Sequence, residues 1–339
     1  MRHDSLFPGK AIFAAIILML TFTSCEKEKD YGKAIYSGDE PISFLSWSES
    51  SDEIYFCIEK GTYSRSLYAV NINSKDYREI ADITKIYPRS IFQKDEKLYY
   101  FNESDWANVR LYSVNVSGSV PELIIDSLQA PVFSRKYVAF MRQFNFPDTS
   151  YVNTILFNID NKTETQIMSD INTMPVSISP DGSYILLRSW DFYNAFFILY
   201  DTRSGQTTNL SGSYVYDLFS FFWADEEIYA FRGGQTGPEI YNLNSNSKII
   251  FAEALTYNHS YAASPSGKML AYVMEVPPEM AYALVGNHYY LHILYAGTSD
   301  KTTIDLERDH VFERNLIFSP DETRIAYIRD FNEIFVLNL

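Results

Sequence analysis

The sequence predicts an all-β chain built from one repeated unit, and three observations support that expectation. Aromatic residues make up 16% of the 339 residues, mostly Tyr and Phe, and they sit with Ile and Val in short runs suited to pleated, half-buried surfaces. No long amphipathic helical stretch interrupts them. The third observation is a recurring pattern of apolar strand end, polar turn and second apolar strand. It is clearest in Ile178-Ser179-Pro180-Asp181-Gly182-Ser183-Tyr184-Ile185-Leu186-Leu187 and in Phe318-Ser319-Pro320-Asp321-Glu322-Thr323-Arg324-Ile325-Ala326-Tyr327. Ala263-Ser264-Pro265-Ser266-Gly267 opens a third copy, and weaker copies start at Trp47, Phe92, Phe133 and Trp223.

These seven anchors lie 45, 41, 45, 45, 40 and 55 residues apart. A period of about 40–50 residues with several strands per unit is that of propeller blades. The expected fold is a single β-propeller of seven blades, each of four antiparallel strands. Six result if the poorly marked third unit, around Val132-Phe133-Ser134, merges with a neighbour. Within a unit, Pro ends the first strand because it cannot donate to a ladder, and Asp-Gly suits the tight turn. That makes Asp181, Gly182 and Asp321 structural turn residues. Third strands follow as Phe196-Phe197-Ile198-Leu199-Tyr200 and Ile334-Phe335-Val336-Leu337, and Thr207 to Leu210 reads as a short polar outer strand. The last unit stops at Leu339 after its third strand, whereas Lys33-Ala34-Ile35-Tyr36 has strand character and no unit of its own. It is expected to complete the last blade, closing the ring and removing an exposed edge.

Ahead of this body, Arg2 and Lys10 precede an apolar run, Ala11 to Phe22, shorter than the roughly 20 residues that span a bilayer. Residues 1–24 therefore read as a signal peptide. Thr23-Ser24-Cys25 resembles the lipobox of bacterial lipoproteins, which implies a lipid on Cys25 and a new N-terminus there. Residues 25–32 are then the lipidated cysteine and a tether, since Glu26-Lys27-Glu28-Lys29-Asp30 has nothing to pack, and the propeller spans 33–339. Leader and tether resemble lipoproteins of the Bacteroidetes, which implies an outer-membrane anchor and surface display. Asp126-Ser127-Leu128 resembles the O-glycosylation site of exported proteins of that group, with Ser127 as acceptor.

The formal net charge is −15, and the leader contributes +1 through Arg2, Lys10 and Asp4, leaving −16 for the mature chain. Such a balance argues against nucleic acid as a partner and against lying flat on an anionic membrane. With Cys25 lipidated, Cys57 has no disulfide partner, and its place in Ile54-Tyr55-Phe56-Cys57-Ile58 predicts a buried, inert strand thiol.

The Ser-Pro-Asp-Gly turn followed by an apolar strand resembles the TolB-type and WD40-like repeats of bacterial propellers. Two units match closely, one partly and four only in pattern. The resemblance implies the fold and no activity. No cofactor and no metal are expected. His288 and His292 alternate along a strand, about 13 Å apart at ~3.3 Å per residue. No nucleophile elbow and no phosphate-binding glycine loop is present.

The loops between second and third strands emerge on one face, and several pair aromatic with acidic side chains. Candidate binding residues there are Asp105, Trp106, Phe146, Asp148, Trp190, Asp191 and Tyr193, with Tyr282 in the insertion behind the longest spacing. The leading expectation is a non-enzymatic, lipid-anchored module binding an envelope protein or a glycan through that face. The competing class is a glycan hydrolase or lyase with carboxylates, or His259 and His310, at the channel mouth. A third is a scaffold without a small ligand.

Overall fold

The computed structural model describes residues 32–339 apart from 62–63, 84–87, 106–107, 146–149, 171, 180, 191–194, 211–219, 225–226, 235–236, 243–246, 251–257, 267, 277–287, 296–299 and 307–314. Every regular element among them is a strand. After β1 (Lys33–Ser37), blade 1 comprises β2 (Ile42–Trp47), β3 (Glu53–Gly61), β4 (Ser64–Asn71) and β5 (Tyr77–Asp82). Blade 2 takes β6 (Pro88–Lys94), β7 (Lys97–Asp105), β8 (Asn108–Asn115) and the first half of β9 (Glu122–Phe133). Blade 3 takes the rest of β9 with β10 (Tyr137–Asn145), β11 (Ser150–Asn158) and β12 (Thr163–Ser169). Blade 4 holds β13 (Thr173–Ile178), β14 (Tyr184–Trp190), β15 (Ala195–Asp201) and β16 (Thr207–Leu210). Blade 5 holds β17 (Ser220–Ala224), β18 (Glu227–Gly234), β19 (Gly237–Asn242) and β20 (Ser247–Ile250). Blade 6 holds β21 (Asn258–Ala263), β22 (Met269–Val276), β23 (His288–Tyr295) and β24 (Lys301–Asp305). Blade 7 holds β25 (Ile317–Phe318), β26 (Arg324–Arg329) and β27 (Glu333–Asn338), with β1 as its fourth strand.

The chain is thus an all-β propeller of seven blades, with each sequence anchor at or beside the end of an inner strand. The weakly marked third unit does merge with its neighbour, but only through a shared strand. Residues Glu122 to Leu128 of β9 pair with β8, and Gln129 to Phe133 pair with β10. The two blades therefore form one seven-stranded sheet. Positive φ at Ser127 (61°) and Ala130 (44°) bends the strand between its two roles.

Closure follows the expected route. β1 runs antiparallel to β27, with Lys33 opposite Val336 and Ser37 opposite Glu333. Ile35, 5% exposed, joins Ile42, Trp47, Ile54, Phe56, Ala326 and Ile334 in one core that fills the seam between blades 7 and 1. Similar apolar layers separate the other described blade pairs, because each sheet is apolar on both faces. In β3, Ile54, Phe56 and Ile58 face blade 7, while Tyr55 and Cys57 face blade 2. A continuous apolar run with a period of two on each side is the sequence trace of that double burial.

Ile35→Ala should lower unfolding free energy by about 3 kcal/mol, since it empties a filled seam, and urea titration would read this as a shift of the midpoint. Burial pushes the Cys57 thiol up to about 12. In a chain of residues 26–339 it is the sole thiol, so a disulfide-exchange reagent should titrate nothing in native buffer and one equivalent in denaturant. Native-state labelling at the rate of a free thiol would contradict a closed interface between blades 1 and 2.

Candidate functional site

The turns between first and second strands share one device, built on a buried serine directly after the anchor. Ser179 Oγ accepts from the Tyr184 amide at 2.9 Å and donates to Asp181 Oδ1 at 2.7 Å. Asp181 also receives the Ser183 amide at 2.9 Å. Ser319 repeats the arrangement with the Arg324 amide at 3.0 Å and Asp321 at 2.5 Å. Ser48, Ser134 and Ser264 accept from the amides of Glu53, Tyr137 and Met269 at 3.0, 3.2 and 3.1 Å. All five serines are nearly or fully buried. Gly182 holds φ at 75°, and the Tyr137 ring of blade 3 lies so close that a Cβ there would meet it at 2.2 Å. Asp181, Asp321 and Gly182 thus take part in the turn geometry.

The same turns tie blade to blade. The Asp321 amide donates to Ser51 Oγ at 3.3 Å, and Arg324 reaches the Ser51 carbonyl at 2.6 Å. Glu322 accepts from the Ser266 hydroxyl at 2.8 Å. Gln93 takes the place of a serine in blade 2, and its Oε1 accepts from the Glu49 amide at 3.0 Å and Tyr55 at 3.1 Å. The two tryptophan anchors act alike: Trp47 donates to the Ile317 carbonyl at 3.3 Å and Trp223 to Ser177 Oγ at 2.8 Å, each on the preceding inner strand.

Between these turns the central channel opens into a cup of about 420 Å³. Trp47, Phe92, Phe133, Ile178 and Phe318, five of the seven repeat anchors, form its walls. Phe92 and Phe133 stack at 4.3 Å and 15°. Glu49 of blade 1 and Arg135 of blade 3 stand 3.9 Å apart on the rim, and Glu49 is the one carboxylate among the described lining residues. The sequence had pointed to the channel mouth only as a place for titratable groups; the anchor spacing was the available signal for its apolar wall.

Of the candidate binding residues, Trp106, Phe146, Asp148, Asp191, Tyr193 and Tyr282 lie outside the described residues, as do the side chains of Asp105 and Trp190. Cys25, His310 and the side chains of His259 and His288 are outside as well. His292 is buried on β23, its Nδ1 2.9 Å from Thr303 Oγ1. Ser127 is exposed, next to Asp126, which accepts from Arg110 at 2.8 Å. Sequence reading missed Phe331, at the three-residue tip between β26 and β27 on the loop face. It is 48% exposed with φ at 67°.

No family model and no curated sequence matches the chain. Solved structures do. A chain of the mitotic checkpoint complex superimposes at TM-score 0.58 and 12% identity, over 100% of this chain and 97% of its own length. An oligogalacturonate lyase from Vibrio parahaemolyticus gives 0.61 at 12% identity, over 89% and 90%. TolB from Acinetobacter baumannii gives 0.48 at 14% identity, over 87% and 83%. For the first two, at such identities, the likeness is one of fold.

The turn carboxylates impose an acid limit on stability. A hydrogen bond from Ser50 chiefly holds Asp52 below its ordinary value. Partial burial opposes ionisation at Asp181 and Asp321, but donors Ser183 and Ser179, or Ser319 and Thr323, outweigh it and lower both. Folded values below unfolded ones contribute stability that is complete above the unfolded value near ~3.9 and is lost as pH falls through the folded value. Melting temperature should stay level above about pH 5 and drop below about pH 4. Asp181→Asn with Asp321→Asn should flatten that acid limb in melts followed by circular dichroism, and an unchanged slope would remove these groups from the account.

Proposed function

We propose that the mature chain is a non-enzymatic binding module, lipid-anchored at the bacterial outer membrane through Cys25, which recognises an envelope protein or a glycan by its loop face. The contrast between the two faces carries this reading. The channel cup offers apolar walls and, among its described lining, one carboxylate beside a guanidinium, which is poor material for general acid–base work. The loop face presents a half-exposed aromatic ring on a braced turn, the kind of group that anchors recognition.

A tether of eight residues reaches at most roughly 30 Å at ~3.6 Å each, which would keep the propeller close to the membrane. Ser127, exposed on β9, is the proposed O-glycan acceptor, and Ser127→Ala should remove the glycan mass from the exported protein.

Residues 26–339 on beads should capture a partner saturably from solubilised envelope proteins or a glycan array, and Trp106→Ala with Trp190→Ala should abolish the capture. Glycan turnover without capture would sink this reading in favour of the lyase or hydrolase class. Mass spectrometry of the N-terminal peptide should find diacylglycerol on Cys25, and an unmodified thiol there would remove the anchor.

A further inference from the structure

We propose that the channel cup is a second binding site, for the zwitterion of a large apolar α-amino acid: its side chain fills the cup, its carboxylate meets Arg135 and its ammonium meets Glu49. This goes beyond the loop-face reading and does not depend on it. A volume of about 420 Å³ lies at the lower end of the range that small-molecule sites occupy, so the cup suits one side chain of a small ligand rather than a protein surface. Trp47, Phe92, Ile178 and Phe318 line it with apolar surface that gives water little to bond, so an apolar group gains by displacing that water. Two polar lining groups are already engaged: Gln93 Nε2 donates to the Asp95 carbonyl at 2.8 Å, and Ser134 Oγ accepts from the Tyr137 amide at 3.2 Å. Glu49 and Arg135 are the only charged groups among the described lining residues.

The rim selects the chemistry of the ligand. The charged groups of Glu49 and Arg135 stand 3.9 Å apart, beyond hydrogen-bond reach. Neither side chain has a hydrogen-bond partner among the described residues, so a carboxylate acceptor and a guanidinium donor set remain unspent at the mouth. The backbone beneath them is fixed, since the Glu49 amide donates to Gln93 Oε1 at 3.0 Å and the amide of Ser134, next to Arg135, donates to the Tyr137 carbonyl at 2.8 Å. A ligand with a single charge gains from one rim group and is repelled by the other: Glu49 opposes a fatty acid, and Arg135 opposes an apolar amine. An α-amino acid carries both charges on the carbon that bears its side chain. The four charges then alternate, both rim groups gain charge-assisted hydrogen bonds, and the side chain is left to enter the cup. Such a ligand has no net charge, so the −15 of the chain does not repel it.

Isothermal titration calorimetry of residues 26–339, which contain the whole described fold, with L-phenylalanine and L-leucine tests this directly. At least one of the two should bind saturably at a single site, and L-alanine, with almost nothing to place in the cup, should not. The N-acetyl derivative of the binder, which lacks the cation and imitates the carboxyl end of a peptide, should bind about tenfold more weakly or worse. So should its amide, which lacks the anion and imitates the amino end. Arg135→Gln and Glu49→Gln should each weaken the unmodified amino acid to the same degree with the melting temperature unchanged, because an exposed pair at this distance contributes little to stability. No saturable heat from either amino acid at millimolar concentration overturns the proposal. Undiminished affinity in both rim variants would place the ligand elsewhere, and equal affinity for the N-acetyl or amide derivative would make the cup a site for a peptide end or a plain apolar pocket; either result overturns it as well.

Discussion

Everything in this structure depends on covering both faces of each blade. A sheet such as that of blade 1 presents Ile54, Phe56 and Ile58 to one side and Tyr55 and Cys57 to the other, so it has no face that water can satisfy. Stacking blades passes the uncovered face along, and only a ring removes the last one. The ring is closed by five residues of β1, which supply the outer strand that blade 7 lacks and place Ile35 in the final seam. Without a covalent staple in the described residues, hydrogen bonds and this apolar seam join the two ends of the fold.

The buried serines organise the inner end of five of the blades. A hydroxyl that accepts the first amide of the second strand satisfies a donor that the turn would otherwise bury unpaired. Once this turn is fixed, its outward groups meet the next blade, as Asp321 and Arg324 meet Ser51. The anchors just before the serines are thereby aimed into the channel, and the apolar cup results. Packing of the ring and shaping of its mouth are thus one event. The cup does not need separate residues of its own.

The two faces of the disc divide the chemistry. The turn side has heavily bonded connections, whose carboxylates are occupied in holding backbone amides. Phe331 shows how the scaffold acts on the loop face: a pinned hairpin keeps an aromatic ring in water at a backbone angle it would not choose alone.

The sequence by itself determined the all-β class and the repeat and narrowed the blade count to six or seven, because a period near 45 residues and a Ser-Pro-Asp turn are local features. It placed β1 in the last blade, β16 at Thr207–Leu210 and Cys57 in a core strand, since each follows from strand pattern and the need to remove an edge. The serine after five of the seven anchors was visible too, but local pattern does not say that its hydroxyl faces a backbone amide. Tertiary structure alone decided the rest. The merging of blades 2 and 3 rests on how β9 bends at Ser127 and Ala130, which no propensity records. The cup brings together residues about 45 positions apart, and the tip at Phe331 is braced by Gly38 and Ile42, nearly three hundred residues earlier. Both are products of contacts between distant segments, and such contacts leave no periodic trace in the chain.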